Sequence, residues 1–213
     1  MKRFRIASAL LASLSVAACG GSSDTSAPAV SRIFDLTLPA DFDRSALPTS
    51  AQTALEEFER RNAGVIATGG PTGNASGNAT FFGNDTVGLV VDNGAGGFAL
   101  VQGDVQLEMN VNSGLINGRF QDLSITDGSG RTTNLLGQVV RLESGNIVNG
   151  RFSNTLSTDG TFNVGGTPAS VTGTSQGAFV GDGSEALGVA DGSITIGTNP
   201  AQGFAGVYTA DQL

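Results

Sequence analysis

The chain has 213 residues, 19 acidic side chains against 11 basic ones, a single cysteine, and neither histidine nor tryptophan. Without histidine there is no Ser-His or Cys-His nucleophile pair, and a zinc site lacks its usual nitrogen ligand. The acidic balance excludes a nucleic-acid partner, because such a surface repels phosphate.

Residues 1–18 read MKRFRIASALLASLSVAA. Lys2, Arg3 and Arg5 form a basic segment, and Ile6 to Val16 is an apolar run relieved only by alanine and serine. The run falls short of the roughly 20 residues that span a bilayer, so it reads as a secretory signal removed on maturation. Val16-Ala17-Ala18-Cys19 then resembles the bacterial lipobox. That resemblance implies cleavage before Cys19 and acylation of its thiol, giving a membrane anchor. It also implies sorting to the outer membrane, because Gly20 stands where an aspartate marks inner-membrane retention. The competing reading is an ordinary signal peptide with a chance cysteine. Past Cys19 there is no lysine, and eight arginines face the nineteen acids.

Residues 19–31, with Gly20 to Ser31 reading GGSSDTSAPAVS, make a small, polar tether. Residues 32–76 form an N-terminal extension, in which Ile33, Phe34, Leu36 and Leu38 suit one short strand or clamp. A helix is predicted over about 49–63. Thr49 and Gln52 fit a capping box, and Ala51, Ala54, Leu55 and Phe58 share one side. Arg60 and Arg61 suit the C-terminal dipole, and Gly64 can end the helix. The apolar stripe is narrow, so packing on a larger body is expected in preference to binding a partner.

From Gly77 the pattern turns to period two, broken by glycine turns. Ala79 and Phe81 alternate, as do Val87, Leu89 and Val91, and then Val105, Leu107, Met109 and Val111. Phe98 to Val101, Thr133 to Leu142, Val171 to Val180, Ile194 to Ile196 and Phe204 to Tyr208 continue the series. Turns are expected at Asp92-Asn93-Gly94, Asn112-Ser113-Gly114, Asp127-Gly128, Ser144-Gly145, Asp159-Gly160 and Asp182-Gly183. The expectation is an all-β fold over 77–213. It is a single antiparallel up-and-down β-barrel of eight strands (eight to ten in all), with one short N-terminal helix, because closure removes exposed edges.

Leu115-Ile116-Asn117-Gly118-Arg119-Phe120 recurs as Ile147-Val148-Asn149-Gly150-Arg151-Phe152. Both copies are read as strands, with Ile116 or Val148, the glycine and the phenylalanine on one face. Arg119 and Arg151 are then either an anion clamp or solvated outer-face residues, and the second is expected.

Gly177-Ala178-Phe179-Val180-Gly181, followed by Glu185 and Gly188, resembles a motif of the β-barrel domain of the transferrin-binding protein B family. The opening ASGNATFFG (Gly77, Ala79, Phe81, Gly83) and the stretch VNSGLINGRF are similar to that family as well. Ala186 and Val189 depart from it, where a second acid and a second glycine are common. The resemblance covers about Gly77 to Leu213. It implies a non-enzymatic surface lipoprotein exported by a Slam-type translocator, set beside an outer-membrane transporter, that binds a protein or nutrient ligand, with iron or heme acquisition within that range. The chain has room for one barrel, so the part that contacts transferrin has no counterpart.

The alternative functions are a lipocalin-like carrier with a small ligand inside the barrel, or a structural envelope lipoprotein. Phe81, Phe120, Phe152 and Phe179 are available to fill the interior. For a heme, only Met109 or Tyr208 is available as an axial ligand. Carboxylate calcium sites stay open, but no EF-hand loop occurs. A hydrolase is the weakest reading. Asp127-Gly128-Ser129 and Asp191-Gly192-Ser193 reverse the order used by aspartic proteases, and both are expected to be hairpin turns. No cofactor, metal or catalytic residue is assigned.

Overall fold

Among the described residues, one α-helix and then ten strands follow one another in the computed structural model. It describes residues 32–35, 43–67, 78–91, 98–110, 112–158, 160 and 162–213, with backbone alone at 85, 87, 89–91 and 98. Residues 1–31, with Cys19 and the tether, lie outside the described residues. So do Leu36, Leu38, Gly77, the turn at Asp92-Asn93-Gly94, Val111, Asp159, and the side chains of Val87, Leu89, Val91 and Phe98.

A 3₁₀ turn at Arg44–Ala46 precedes helix α1 (Thr49–Asn62). The strands are β1 (Asn78–Val91), β2 (Phe98–Asn110), β3 (Leu115–Thr126), β4 (Thr132–Leu135), β5 (Val140–Val148), β6 (Arg151–Thr158), β7 (Asn163–Val164), β8 (Thr167–Val180), β9 (Glu185–Ile196) and β10 (Gln202–Gln212). Eight of them (β1, β2, β3, β5, β6, β8, β9 and β10) pair antiparallel around a ring that β1 and β10 close, for example through Phe81 opposite Gln212. The fold is therefore the expected closed eight-stranded barrel. The short strands β4 and β7 are flaps on β3 and β8.

Period-two alternation sends apolar residues inward, and an eight-stranded barrel is just wide enough for side chains to fill. Val105, Leu107 and Met109 of β2 are buried in one interior cluster with Ile116, Phe120, Leu142, Leu156 and Phe179. Burying each such side chain contributes about 1.5–3 kcal/mol. The outer wall carries exposed Glu108, Arg119, Arg141 and Glu143, the reverse of the polarity of a transmembrane barrel. Among the described residues no helix is long and apolar enough to cross a membrane, which says nothing of strands.

Three bulges keep the alternation facing the core. Strand β1 carries one extra residue between Gly83 and Thr86, β3 carries one around Asp122, and β5 carries one around Ser144. Asp122 and Ser144 both have positive φ. After the bulge at Asp122 the inward set moves from Ile116 and Phe120 to Leu123 and Ile125. Ser144-Gly145 is thus a bulge within β5, not the expected turn. Asp191-Gly192-Ser193 is likewise corrected, since it lies within β9 and pairs with both β8 and β10. Thr133 to Leu142 is two strands, because a turn at Leu136-Gly137 divides β4 from β5. Turns do occur at 112–114, 127–128 and 182–183.

The second copy of the repeat is also corrected. Asn149 and Gly150 both have positive φ (51° and 73°) and form the hairpin turn between β5 and β6. Val148 is exposed there. The first copy is the expected strand, with Ile116 and Phe120 inward.

Helix α1 lies on the outer wall. Ala51, Ala54, Leu55 and Phe58 are buried against Ala178, Val180, Leu187 and Val207, so its apolar face is consumed by packing. Pro48, not Thr49, is the N-cap, without a side-chain bond. Gln52 instead donates from Nε2 to the Leu47 carbonyl at 2.7 Å.

Candidate functional site: the two ends of the barrel

One end of the barrel is closed by the N-terminal extension. Phe34 and Asn62 exchange two 2.8 Å hydrogen bonds, backbone N–H to Oδ1 and Nδ2 to carbonyl. The Arg151 guanidinium sits 5.6 Å from the centre of the Phe34 ring. Arg61, only 7% exposed, donates to the Ala210 carbonyl at 3.0 Å and pairs with Glu57 and Asp211. Beyond the helix, the Ala67 N–H donates to the Phe179 carbonyl at 2.8 Å, and the Gly181 N–H donates to the Val65 carbonyl at 3.1 Å. Ala67 is thereby buried in the interior cluster. The turns β2–β3, β5–β6 and β8–β9 and the end of β10 share this rim.

Behind this closure stands an aromatic plug. Phe179 packs against Phe81 and Phe152, with ring centres 5.1 and 5.2 Å apart. Tyr208 meets Phe120 edge-on at 5.5 Å. Glycines make the room: a Cβ on Gly177 would run into the Phe152 ring, and one on Gly188 into Tyr208. The Tyr208 hydroxyl shares a 3.0 Å hydrogen bond with Ser175. Burial pushes the phenol above its usual range, and the Ser175 bond offsets part of that rise.

The structure brings the five motif residues together at the closed end of β8 and β9. Gly177 and Gly188 seat rings, Phe179 centres the plug, Gly181 turns the chain at φ 64°, and Glu185 lies 3.6 Å from Arg60. Ala186 faces the interior and Val189 packs under the helix layer. The anion clamp does not form. Arg119 is held by Gln106 and Gln121, and Arg151 by Ile33 and Phe34. Asp127 caps its own turn, bonded by Ser129 and Arg131, while Asp191 is bonded by Thr174 on the outer wall. The two Asp-Gly-Ser sites thus serve separate local structures. Met109 is buried in the core, and Tyr208 is committed to Ser175. Among the described residues, no three His, Cys, Asp or Glu side chains are grouped to hold a metal ion.

The opposite end is different. There the interior leaves a cavity of about 90 Å³, partly open and, among the described residues, with no polar atom on its wall. Gly88, Gly206 and Ala190 contribute little bulk to it, and Phe120, Leu123 and Ile194 supply the apolar surface. The barrel is therefore filled at the closed end and hollow at the other. Sequence reasoning missed Thr86, Gly88, Ala190 and Gly206 as lining residues. Their only signal was small size at inward positions, and for Thr86 and Gly88 the bulge in β1 hid which positions those were.

No known family profile matches the sequence, and no curated protein matches it. Among solved structures, the chain is similar to a double mutant of the vaccine antigen transferrin-binding protein B from Haemophilus parasuis Hp5. That match has 15% identity and a TM-score of 0.42, over 64% of this chain and 26% of that one. It is also similar to intact Ap-TbpB with its N and C lobes, at 14% identity and a TM-score of 0.41, over 64% of this chain and 26% of that one. The chain spans about a quarter of the length of either protein.

Proposed function

We propose that this protein is a non-enzymatic lipoprotein of the outer membrane, anchored through Cys19, which holds a protein or nutrient ligand at the cell surface with its hollow end. One observation carries the reading. The first described residues, Arg32 to Asp35, join the fold at the closed end, where Ile33 donates to the Asn62 carbonyl at 3.0 Å. An anchor reached through the preceding tether leaves the hollow end facing away from the membrane. The closed rim supports this, because four exposed large apolar residues ring it: Val65, Leu115, Val148 and Leu213. Such side chains are at ease against a lipid headgroup layer. Membership of the transferrin-binding protein B barrel family, export by a Slam-type translocator and a transporter partner belong to the same proposal. The motif at Gly177 to Gly188 is their support.

Palmitate labelling of the expressed chain tests the anchor. Label is expected in the native chain and absent from Cys19→Ser. Protease added to intact cells tests the orientation. Cleavage in the loops of the hollow end is expected, and complete protection sinks surface exposure.

A second reading has its own observation. The apolar cavity favours a carrier that holds a small ligand inside the barrel, as lipocalins do.

A further inference from the structure

We propose that the cavity takes an uncharged, mainly apolar molecule that carries one hydrogen-bonding oxygen, and that Thr86 is the residue that meets that oxygen. The proposal rests on the carrier reading and names its ligand class.

The wall decides the apolar part. It is lined by aromatic and aliphatic side chains, with Thr86 and Tyr208 as the polar-bearing exceptions, and it exposes no polar atom. No ionisable carboxylate or guanidinium lines it. A charged group placed inside would lose its hydration with nothing in return. Porphyrin iron would find no free axial ligand, because the Tyr208 hydroxyl is engaged by Ser175. The volume of about 90 Å³ is smaller than the ~150 Å³ of a dry cavity that admits benzene. The open side lets the rest of a ring or short alkyl group project outward.

Thr86 supplies the polar part. It is 9% exposed, and its Oγ1 is buried with no hydrogen-bond partner among the described residues. Buried hydroxyls are almost always satisfied, so an orphan one calls for an explanation. Its place follows from the β1 bulge, which turns Thr86 and Gly88 toward the cavity. One staggered step about Cα–Cβ moves the threonine hydroxyl into the position its methyl held, and the methyl into that of the hydrogen. Because Thr86 lines the cavity, that rotamer is the one in which Oγ1 would meet a ligand oxygen.

Toluene and phenol differ by a methyl for a hydroxyl and are neutral at pH 7. Their affinities for the purified chain 32–213 are compared by ligand-observed NMR titration, in three proteins: native, Thr86→Val and Ala190→Phe. Circular dichroism confirms folding of each. Native protein is expected to bind both probes, and Ala190→Phe neither. In Thr86→Val, phenol is expected to weaken about tenfold while toluene is unchanged. If toluene binds natively but Thr86→Val leaves the phenol-to-toluene ratio unchanged, the role of Thr86 is overturned and the carrier reading stands. If neither probe binds natively, or Ala190→Phe binds them as well, the carrier reading falls too.

Discussion

The Phe152 ring occupies the space where a side chain on Gly177 would begin. Strand β6 presents the ring, β8 presents the gap, and the two residues face each other in register. Gly177→Ala is expected to lower stability by about 1–3 kcal/mol, the range for overpacking a filled core. Urea unfolding measures it. Because the clash is with one ring, Phe152→Leu should cost less in the Gly177→Ala background than in native protein. Simple additivity would show that the two residues do not share the space.

Tyr208 and Ser175 form a hydrogen bond inside the barrel, away from water. Tyr208→Phe leaves the serine hydroxyl buried and unpartnered, at a cost of about 1–3 kcal/mol. Adding Ser175→Ala removes the stranded group. The double variant is therefore expected to be at least as stable as Tyr208→Phe alone. A double-mutant cycle by urea unfolding checks this.

Acid should weaken helix α1, because Arg60 and Arg61, the partners of Glu57, stand on the same helix. Hydrogen bonds from Arg60, opposed by partial desolvation and reinforced by Arg61, hold the Glu57 carboxyl down at about 2. Its ordinary value is 4.5. A depressed carboxyl adds stability that is fully present above its unfolded pKa and is lost as pH falls toward the folded one. Stability should therefore decline between about pH 4.5 and 2. Glu57→Gln should flatten that part of the profile, measured by thermal unfolding across the window. An unaltered acid slope in the variant would assign the loss to other groups.

Two glycines with positive φ separate backbone strain from contact. Gly130 (φ 81°) has open space where a Cβ would stand, whereas at Gly150 (φ 73°) that Cβ would strike the Ala67 carbonyl. Gly130→Ala should cost about 1 kcal/mol from the backbone alone. Gly150→Ala should cost about 1–3 kcal/mol more, because it also pushes against the segment that closes the barrel. Equal losses in thermal or urea unfolding would mean that Ala67 yields freely.

The same comparison shows what was legible in the chain. Alternation and glycine spacing suffice for a closed barrel, since period-two apolar runs in Val105 to Met109 or Ile116 to Phe120 have one stable use. Local sequence does not decide between strand and turn for Asn-Gly. Asn117-Gly118 lies mid-strand, where Gly118 accommodates the close approach of Leu107, while Asn149-Gly150 turns the chain. Tertiary context chooses. Bulges are equally hidden, because positive φ at Asp122 and Ser144 has no strong residue signature and each shifts which residues face in. The motif residues at the closed end were visible because they are large or invite a turn. The cavity was not, because a hollow is made by what is missing: Gly88, Gly206 and Ala190 leave no mark that ordinary strand glycines and alanines would not.

The ring is completed by its first and last strands, with Phe81 opposite Gln212 and Val90 opposite Phe204. Contacts so distant in sequence form late and slowly. Until β10 pairs, β1 and β9 present bare edges, a ready template for mispairing. The eleven residues of β10 therefore act as the latch of the barrel. A chain cut short at about residue 201 keeps most of its core residues yet has no way to shut, and its fate is set by how quickly those two edges find another chain.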